Sequence, residues 1–121
     1  MALAAVSPGS AAEKSEAHPI TAARTALAEE NSLFLEVEGV LKARDAVRAR
    51  RLLREHAERF PEAEGGAEDR EGFAAIADCI ERPGAESHAR AERFIEQFRA
   101  SPLRRKVRHA CLGPRVPILL R

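Results

Sequence analysis

Apolar residues recur at helical spacing along most of the chain. Leu27, Leu33 or Phe34, Val37, Val40 and Leu41 mark a first helix, expected over residues 21–43 with Thr21 as its N-cap. Gly39 lies inside it, at a cost of about 1 kcal/mol relative to alanine. Arg44-Asp45 reads as a turn, and Asp45 is a good N-cap for a second helix over residues 46–60. Ala49, Leu52, Leu53, His56, Ala57 and Phe60 line one stripe of that helix, and Pro61 ends it. Residues 62–66 form a loop. A third helix over residues 67–80 turns Phe73, Ile76, Ala77 and Ile80 inward. Glu68, Asp69 and Glu71 sit near its start, where the helix dipole favours acids. Arg82-Pro83-Gly84 is a second turn, and a fourth helix over 85–98 buries Ala91, Phe94, Ile95 and Phe98. Ser101-Pro102 reads as an N-cap followed by a first-turn proline. It opens a fifth helix over 102–111, with Leu103, Val107 and Ala110 on one face and Gly113-Pro114 as its stop.

A longer period overlies the helical one. Sliding the chain until Arg44 falls on Arg82 also lays Leu53 on Ala91, His56 on Phe94, Ala57 on Ile95 and Phe60 on Phe98. The offset falls within the range of helical-hairpin repeats. It predicts stacked hairpins, an architecture used for docking more often than for catalysis. The second copy has drifted. It lacks the proline that closes the first, and it moves its bulk to Phe94 and Ile95. Outside the helices, residues 1–19 read as a disordered linker, with Ser7-Pro8-Gly9-Ser10 and His18-Pro19 as breakers. Residues 20–112 form one helical domain, and 113–121 a flexible tail with a short apolar run, Val116 to Leu120.

Composition agrees with helices. Much of the 45% hydrophobic fraction is alanine, and the aromatics are five Phe with no Tyr or Trp. Alanine is the best helix former and lets backbones approach, whereas a β-sandwich would draw on Thr, Tyr, Ile and Val. The net charge of +1 hides an uneven distribution. Residues 1–43 carry six acids against three bases, and residues 99–121 carry seven bases and no acid. Such a basic end suits an acidic partner, a nucleic-acid backbone or a lipid headgroup; cations also favour the C-terminal end of a last helix. No stretch approaches the ~20 apolar residues of a membrane span, and the N-terminus lacks the basic region of a signal peptide. The chain as written is therefore expected to be cytoplasmic. A periplasmic or envelope-associated place is expected if it is a piece of a membrane-anchored protein.

Ala49, Leu53, His56 and Pro61 occupy the spacing of the second helix of a tetratricopeptide (TPR) repeat, which the chain resembles. His56 stands where that family prefers alanine. The second copy offers Ser87, Ala91, Phe94 and Arg99, while Leu33, Glu36-Val37 and Val40 replace the first-helix Trp, Leu-Gly and Tyr. More closely, residues 52–61, 68–71, Cys79, 91–94, 101–103 and 107–111 are similar to a TPR-like C-terminal domain of uncharacterised, GC-rich, myxobacterial-type bacterial proteins. In that family the domain often follows a linker and a membrane anchor, and Arg44 stands where it usually has glycine. The resemblance covers about residues 25–112. It implies an all-α fold of about five antiparallel helices, stacked as TPR-like hairpins in a short α-solenoid.

Two and a half hairpins are few for a solenoid, which usually needs about three repeats, so homodimerisation or docking on a protein partner is expected. Candidate partner-binding positions are Leu33, Val37, Phe73 and Ala77, on the first and third helices. The rival is a regulatory or envelope-tethered component whose basic segment, Arg104, Arg105, Lys106 and Arg108, binds nucleic acid or an acidic surface. Nucleic acid is the weaker partner, because the Phe residues fall on core stripes and none is left for base stacking. Cys79 and Cys111 end neighbouring odd-numbered helices. They are a candidate disulfide in an oxidising compartment and buried small hydrophobes in a reducing one. Together with His88 and His109 they offer zinc-type atoms, but without a CxxC or HxxxH spacing. His56 reads as a packed histidine, with no Ser or Cys spaced for a triad. The Arg48, Arg50, Arg51, Arg54 and Arg59 cluster interleaves with Glu55 and Glu58 in (i, i+4) pairs. No phosphate-loop, dinucleotide or HExxH motif is present. The expected function is a non-enzymatic interaction or scaffolding module with no catalytic, cofactor or metal residues.

Overall fold

The computed structural model describes residues 19–113. Apart from Pro19 and Gly113, the linker expected over 1–19 and the tail expected over 113–121 lie outside the described residues. The fold is all-α: the described residues contain five α-helices and no strand. These are α1 (Pro19–Lys42), α2 (Ala46–Arg59), α3 (Gly66–Glu81), α4 (Ala85–Gln97) and the one-turn α5 (Arg104–Val107), which widens into a π-helical segment, Arg108–Leu112. The chain divides into two compact units, Met1–Ser32 and Leu33–Arg121.

In the first unit, the described part is the opening of α1. The helix begins at Pro19, ahead of the expected Thr21 cap. Proline suits the first position, where its missing N–H leaves no bond unmade and its φ is already helical. Thr21 lies within the helix, and its carbonyl accepts the Thr25 hydroxyl at 3.1 Å. Ile20 and Leu27 stand 65% and 56% exposed.

In the second unit, Leu33, Val37 and Leu41 recur every fourth residue and are all buried, as one stripe of a 3.6-residue helix requires. The chain then turns through Arg44, held at φ 64°. Asp45 caps α2 as expected, its carboxylate accepting the Arg48 amide N–H at 3.1 Å. The buried stripe of α2 is Ala46, Ala49, Leu52, Leu53 and His56. Alanines at positions 49, 75, 77 and 91 are wholly buried, which lets α2, α3 and α4 pack with little side-chain bulk between them. Gly72 marks the tightest approach. A Cβ there would stand 2.8 Å from the Phe94 ring and 2.9 Å from Leu103 Cδ1.

Helices α2 and α4 end alike. The Phe60 amide donates to the His56 carbonyl at 2.8 Å, and at the end of α4 the Phe98 amide donates to the Phe94 carbonyl at 2.9 Å. After α4, Ser101 Oγ accepts the Leu103 amide N–H at 3.0 Å, so serine does cap the following turn. The expected helix over 102–111 is, however, a turn, one α-helical turn and the π-helical segment. Cys111 in that segment is joined to Cys79 of α3 by a disulfide, with Cα atoms 5.2 Å apart.

Candidate partner-binding groove

Three elements of the second unit border a groove of about 640 Å³. The end of α1 supplies Glu38, Leu41 and Lys42, followed by Arg44 in the turn. Helix α3 supplies Phe73, Ile76 and Ile80. Helix α5 and the π-helical segment supply Arg105, Lys106, His109 and Ala110. The apolar residues Leu41, Phe73, Ile76 and Ile80 form its floor because the core stripes of α1 and α3 continue into it. Exposed basic side chains border it: Lys42 and Arg44 on the α1 side and Arg105 on the α5 side, where His109 is also exposed. Glu38 is the one carboxylate in the lining, and it is paired with Lys106. The disulfide lies beside this groove, since Cys79 adjoins Ile80 and Cys111 adjoins Ala110.

The four candidate binding positions do not line an open surface together. Leu33, Val37 and Ala77 are core residues at 5%, 0% and 0% exposure, and Phe73, at 5%, reaches the groove only as part of its floor. The physical reason is that the helical stripe marking an inner groove also marks a core. Here neighbouring helices close over most of it.

The basic quartet is likewise divided. Arg104 is turned back onto α4, where its Nε donates to the Ile95 carbonyl at 3.2 Å. Arg105 and Lys106 rim the groove, and Arg108 is half-buried. Cys79 and Cys111 are bonded to each other, while His88 and His109 are exposed. Among the described residues no three His, Cys, Asp or Glu side chains converge as a metal site would require.

The arginines of α2 mostly meet acids. Arg48 pairs with Glu36 at 3.0 Å and Arg59 with Glu55 at 3.0 Å. Arg50 pairs with both Asp78 and Glu81. Asp78 also receives Arg90 of α4 at 2.6 Å, and Arg90 holds Glu71 through two N–H donors, at 2.9 and 3.1 Å. Burial alone would raise the Asp78 carboxyl. The hydrogen bonds and charges of Arg90 and Arg50 together outweigh it and hold the group below the usual carboxylate range. On Arg90 the hydrogen bonds to Glu71 act most strongly. With those to Asp78 they overcome the opposing effect of burial and raise the guanidinium above its ordinary value. This network joins α2, α3 and α4, whereas (i, i+4) spacing pairs the α2 arginines only within their own helix. A sequence signal for it exists: Arg50 and Arg90 both flank apolar stripes, and Asp78 lies just before the cysteine of α3.

His56 is wholly buried. Its ring stacks on Phe34 with centroids 4.1 Å apart, and the Phe60 ring lies 5.4 Å away. Arg70 Nη1 stands 2.9 Å from Nδ1. A guanidinium can only donate, so Nδ1 accepts and the ring proton is on Nε2. The histidine is thus a polar group satisfied within the core.

No described helix is long and apolar enough to cross a membrane. No protein-family model, curated protein or solved structure matches the chain.

Proposed function

We propose that this chain is a non-enzymatic protein–protein interaction module of TPR-like type, and that the groove between α1, α3 and the α5 region is where its partner docks. One observation carries the reading: a groove floored by the edges of Leu41, Phe73 and Ile76 and by the part-exposed Ile80 is bordered by Lys42, Arg44 and Arg105, which have no acidic partner among the described residues. An apolar hollow rimmed by unneutralised charge is a surface suited to a complementary ligand. The repeat of the helix ending at Phe60 and Phe98 supports a hairpin stack. The rival reading, a basic segment acting alone, has less support because Arg104 and Lys106 are engaged within the fold. The buried disulfide supports an oxidising compartment, periplasmic or envelope-associated, over a reducing one.

The test is site-specific photocrosslinking. A benzophenone amino acid is placed at Ile80 or Ala110 in the groove, or at Arg54 on the exposed side of α2, and the full chain is irradiated in lysate of its source cells. The expected result is one discrete adduct from both groove positions and none from Arg54, followed by binding of the purified adduct partner. Equal labelling from Arg54, or no adduct from the groove, overturns the proposal.

A further inference from the structure

We infer that the occupant of this groove is an amphipathic helix of a partner protein, with an apolar ridge flanked on both sides by carboxylates. The inference rests on the docking reading above and adds the chemistry of the partner. Four properties of the groove lead to it.

The floor is made of Leu41, Phe73, Ile76 and Ile80, which offer dispersion contacts and no hydrogen-bonding side chain. Only an apolar ridge gains by entering it. The cations come from two separate elements: Lys42 and Arg44 from the end of α1 and its turn, and Arg105 from α5. A ligand with a single anionic head, such as a fatty acid, can satisfy one side and leaves the other unanswered. A helix with acids on both flanks of its ridge answers both.

The elements around the groove are helices, whose backbone groups bond within themselves. An extended peptide therefore finds no strand edge to pair with, and its own N–H and C=O groups would lose water without replacement. A helical ligand brings its backbone bonds with it. Nucleic acid is disfavoured by the aromatic inventory, because the one phenylalanine in the lining, Phe73, is 5% exposed and offers no face for stacking.

Arg44 is the left-handed residue that closes α1, at φ 64°, with its own N–H on the Leu41 carbonyl at 2.9 Å and the Asp45 N–H on the Val40 carbonyl at 2.8 Å. This helix end fixes the backbone from which the guanidinium reaches the rim.

The experiment measures fluorescence anisotropy of labelled synthetic helices against the full chain with its disulfide intact. One peptide carries a leucine ridge with glutamate flanks, a second the same ridge with lysine flanks, and a third a serine ridge with glutamate flanks. The glutamate-flanked leucine peptide is expected to bind about tenfold tighter than the lysine-flanked one, as a few exposed ion pairs together allow. That preference shrinks at high salt. The serine ridge abolishes binding. The double variant Lys42→Glu, Arg105→Glu reverses the flank preference while its circular dichroism and urea midpoint stay as in the parent, since both residues are exposed.

Equal affinity for glutamate and lysine flanks overturns the inference, as does binding of the serine-ridge peptide. So does displacement of the bound helix by dodecanoate at concentrations below its micelle threshold, which would make the groove a lipid site. Should groove crosslinks to a partner persist while the glutamate-flanked peptide fails to bind, the inferred chemistry is wrong and the docking reading stands. Absence of groove crosslinks ends the docking reading whatever the peptides do.

Discussion

His56 of α2 and Phe94 of α4 fall on each other when the sequence is slid so that Arg44 meets Arg82, and their surroundings match in several respects. Both rings are buried, at 0% and 1% exposure. Each packs against the phenylalanine one helical turn on, with centroids 5.4 Å apart at Phe60 and 5.1 Å at Phe98. Each carbonyl accepts the amide that closes its helix. Each faces a glycine of α3: a Cβ at Gly66 would lie 3.0 Å from His56 Cε1, and one at Gly72 2.8 Å from Phe94 Cζ. The sockets differ in chemistry. The first supplies a guanidinium to Nδ1. The second presents Gly72 and Leu103 to the ring. Two sockets can therefore share a geometry while one of them is polar, provided a partner for the polar group comes with it.

Exchanging the two rings breaks this comparison most severely. Phe94→His puts an imidazole against Gly72, Leu103 and Phe98 and removes ring volume, at an expected cost of about 3–5 kcal/mol. His56→Phe removes one hydrogen bond and leaves Arg70, which is half-buried and can turn to water; the expected cost is about 1 kcal/mol. Urea unfolding of both variants gives the two numbers. Equal losses would mean that the sockets are not chemically distinct.

The disulfide distinguishes the copies next. It ties α3 to the segment that follows the second copy, and no disulfide holds the first. The double variant Cys79→Ser, Cys111→Ser releases a cross-link with a sequence separation of 32, which corresponds to about 3.7 kcal/mol of unfolded-state constraint. The hydrogen-exchange pattern sharpens the point. Protection is expected to fall first in Arg108–Leu112 and the facing turns of α3, with α2 keeping its protection relative to the global unfolding limit. A uniform loss along the chain would show that the two copies unfold as one unit.

Much of this fold was legible because its local and tertiary signals agree. Asp45 as a cap, the stripe through Leu53 and His56, and Pro61 as a stop each have a local physical reason, and each appears in the structure. The start of α1 departs from expectation because Thr21 is a good cap and Pro19 an equally good first residue, and the sequence offers no arbiter between them. The groove was only half legible. Leu33, Val37 and Ala77 carry the same periodicity whether a neighbouring helix covers them or not. Lys42 and Arg44 are close neighbours in the sequence, but Arg105 is far from them and only packing brings it to the same groove. The positive φ of Arg44 had a signal only in the glycine that the resembling family carries at that place, since arginine itself is an unusual residue for that conformation.

Asp78 takes one arginine from each copy, Arg50 and Arg90, and so measures their coupling. Its folded-state ionisation lies below the ordinary carboxylate range. Its contribution is therefore present above the unfolded value near 3.9 and is lost as pH falls below about 4, through the lower folded value. Asp78→Asn is expected to cost about 1 kcal/mol near neutral pH, because the pairs are partly exposed, and to flatten the acid limb of the stability profile below about pH 4. An unchanged acid limb would assign that limb to other carboxylates and leave the copies uncoupled through this residue.

The smallest effect separates the two turns that open α2 and α4. Arg44 and Arg82 correspond across the repeat, but Pro83 forces Arg82 toward extended backbone, at φ −139°, while Arg44 is held at φ 64°. Glycine adopts the latter conformation freely. Arg44→Gly is therefore expected to raise stability by about 0.5–1 kcal/mol, since it relieves a left-handed residue at a cost only in unfolded-state freedom. Arg44→Ala keeps the strain and leaves stability unchanged. Both substitutions remove the same cation from the groove rim, so both should weaken the glutamate-flanked helix by a similar factor of about two to three. If binding falls with charge while stability follows backbone strain, Arg44 is a residue kept for its ligand against the preference of its own turn. If Arg44→Gly gains stability and binding is untouched in both variants, the first turn is merely strained, and the α1 side of the groove is left with Lys42 alone.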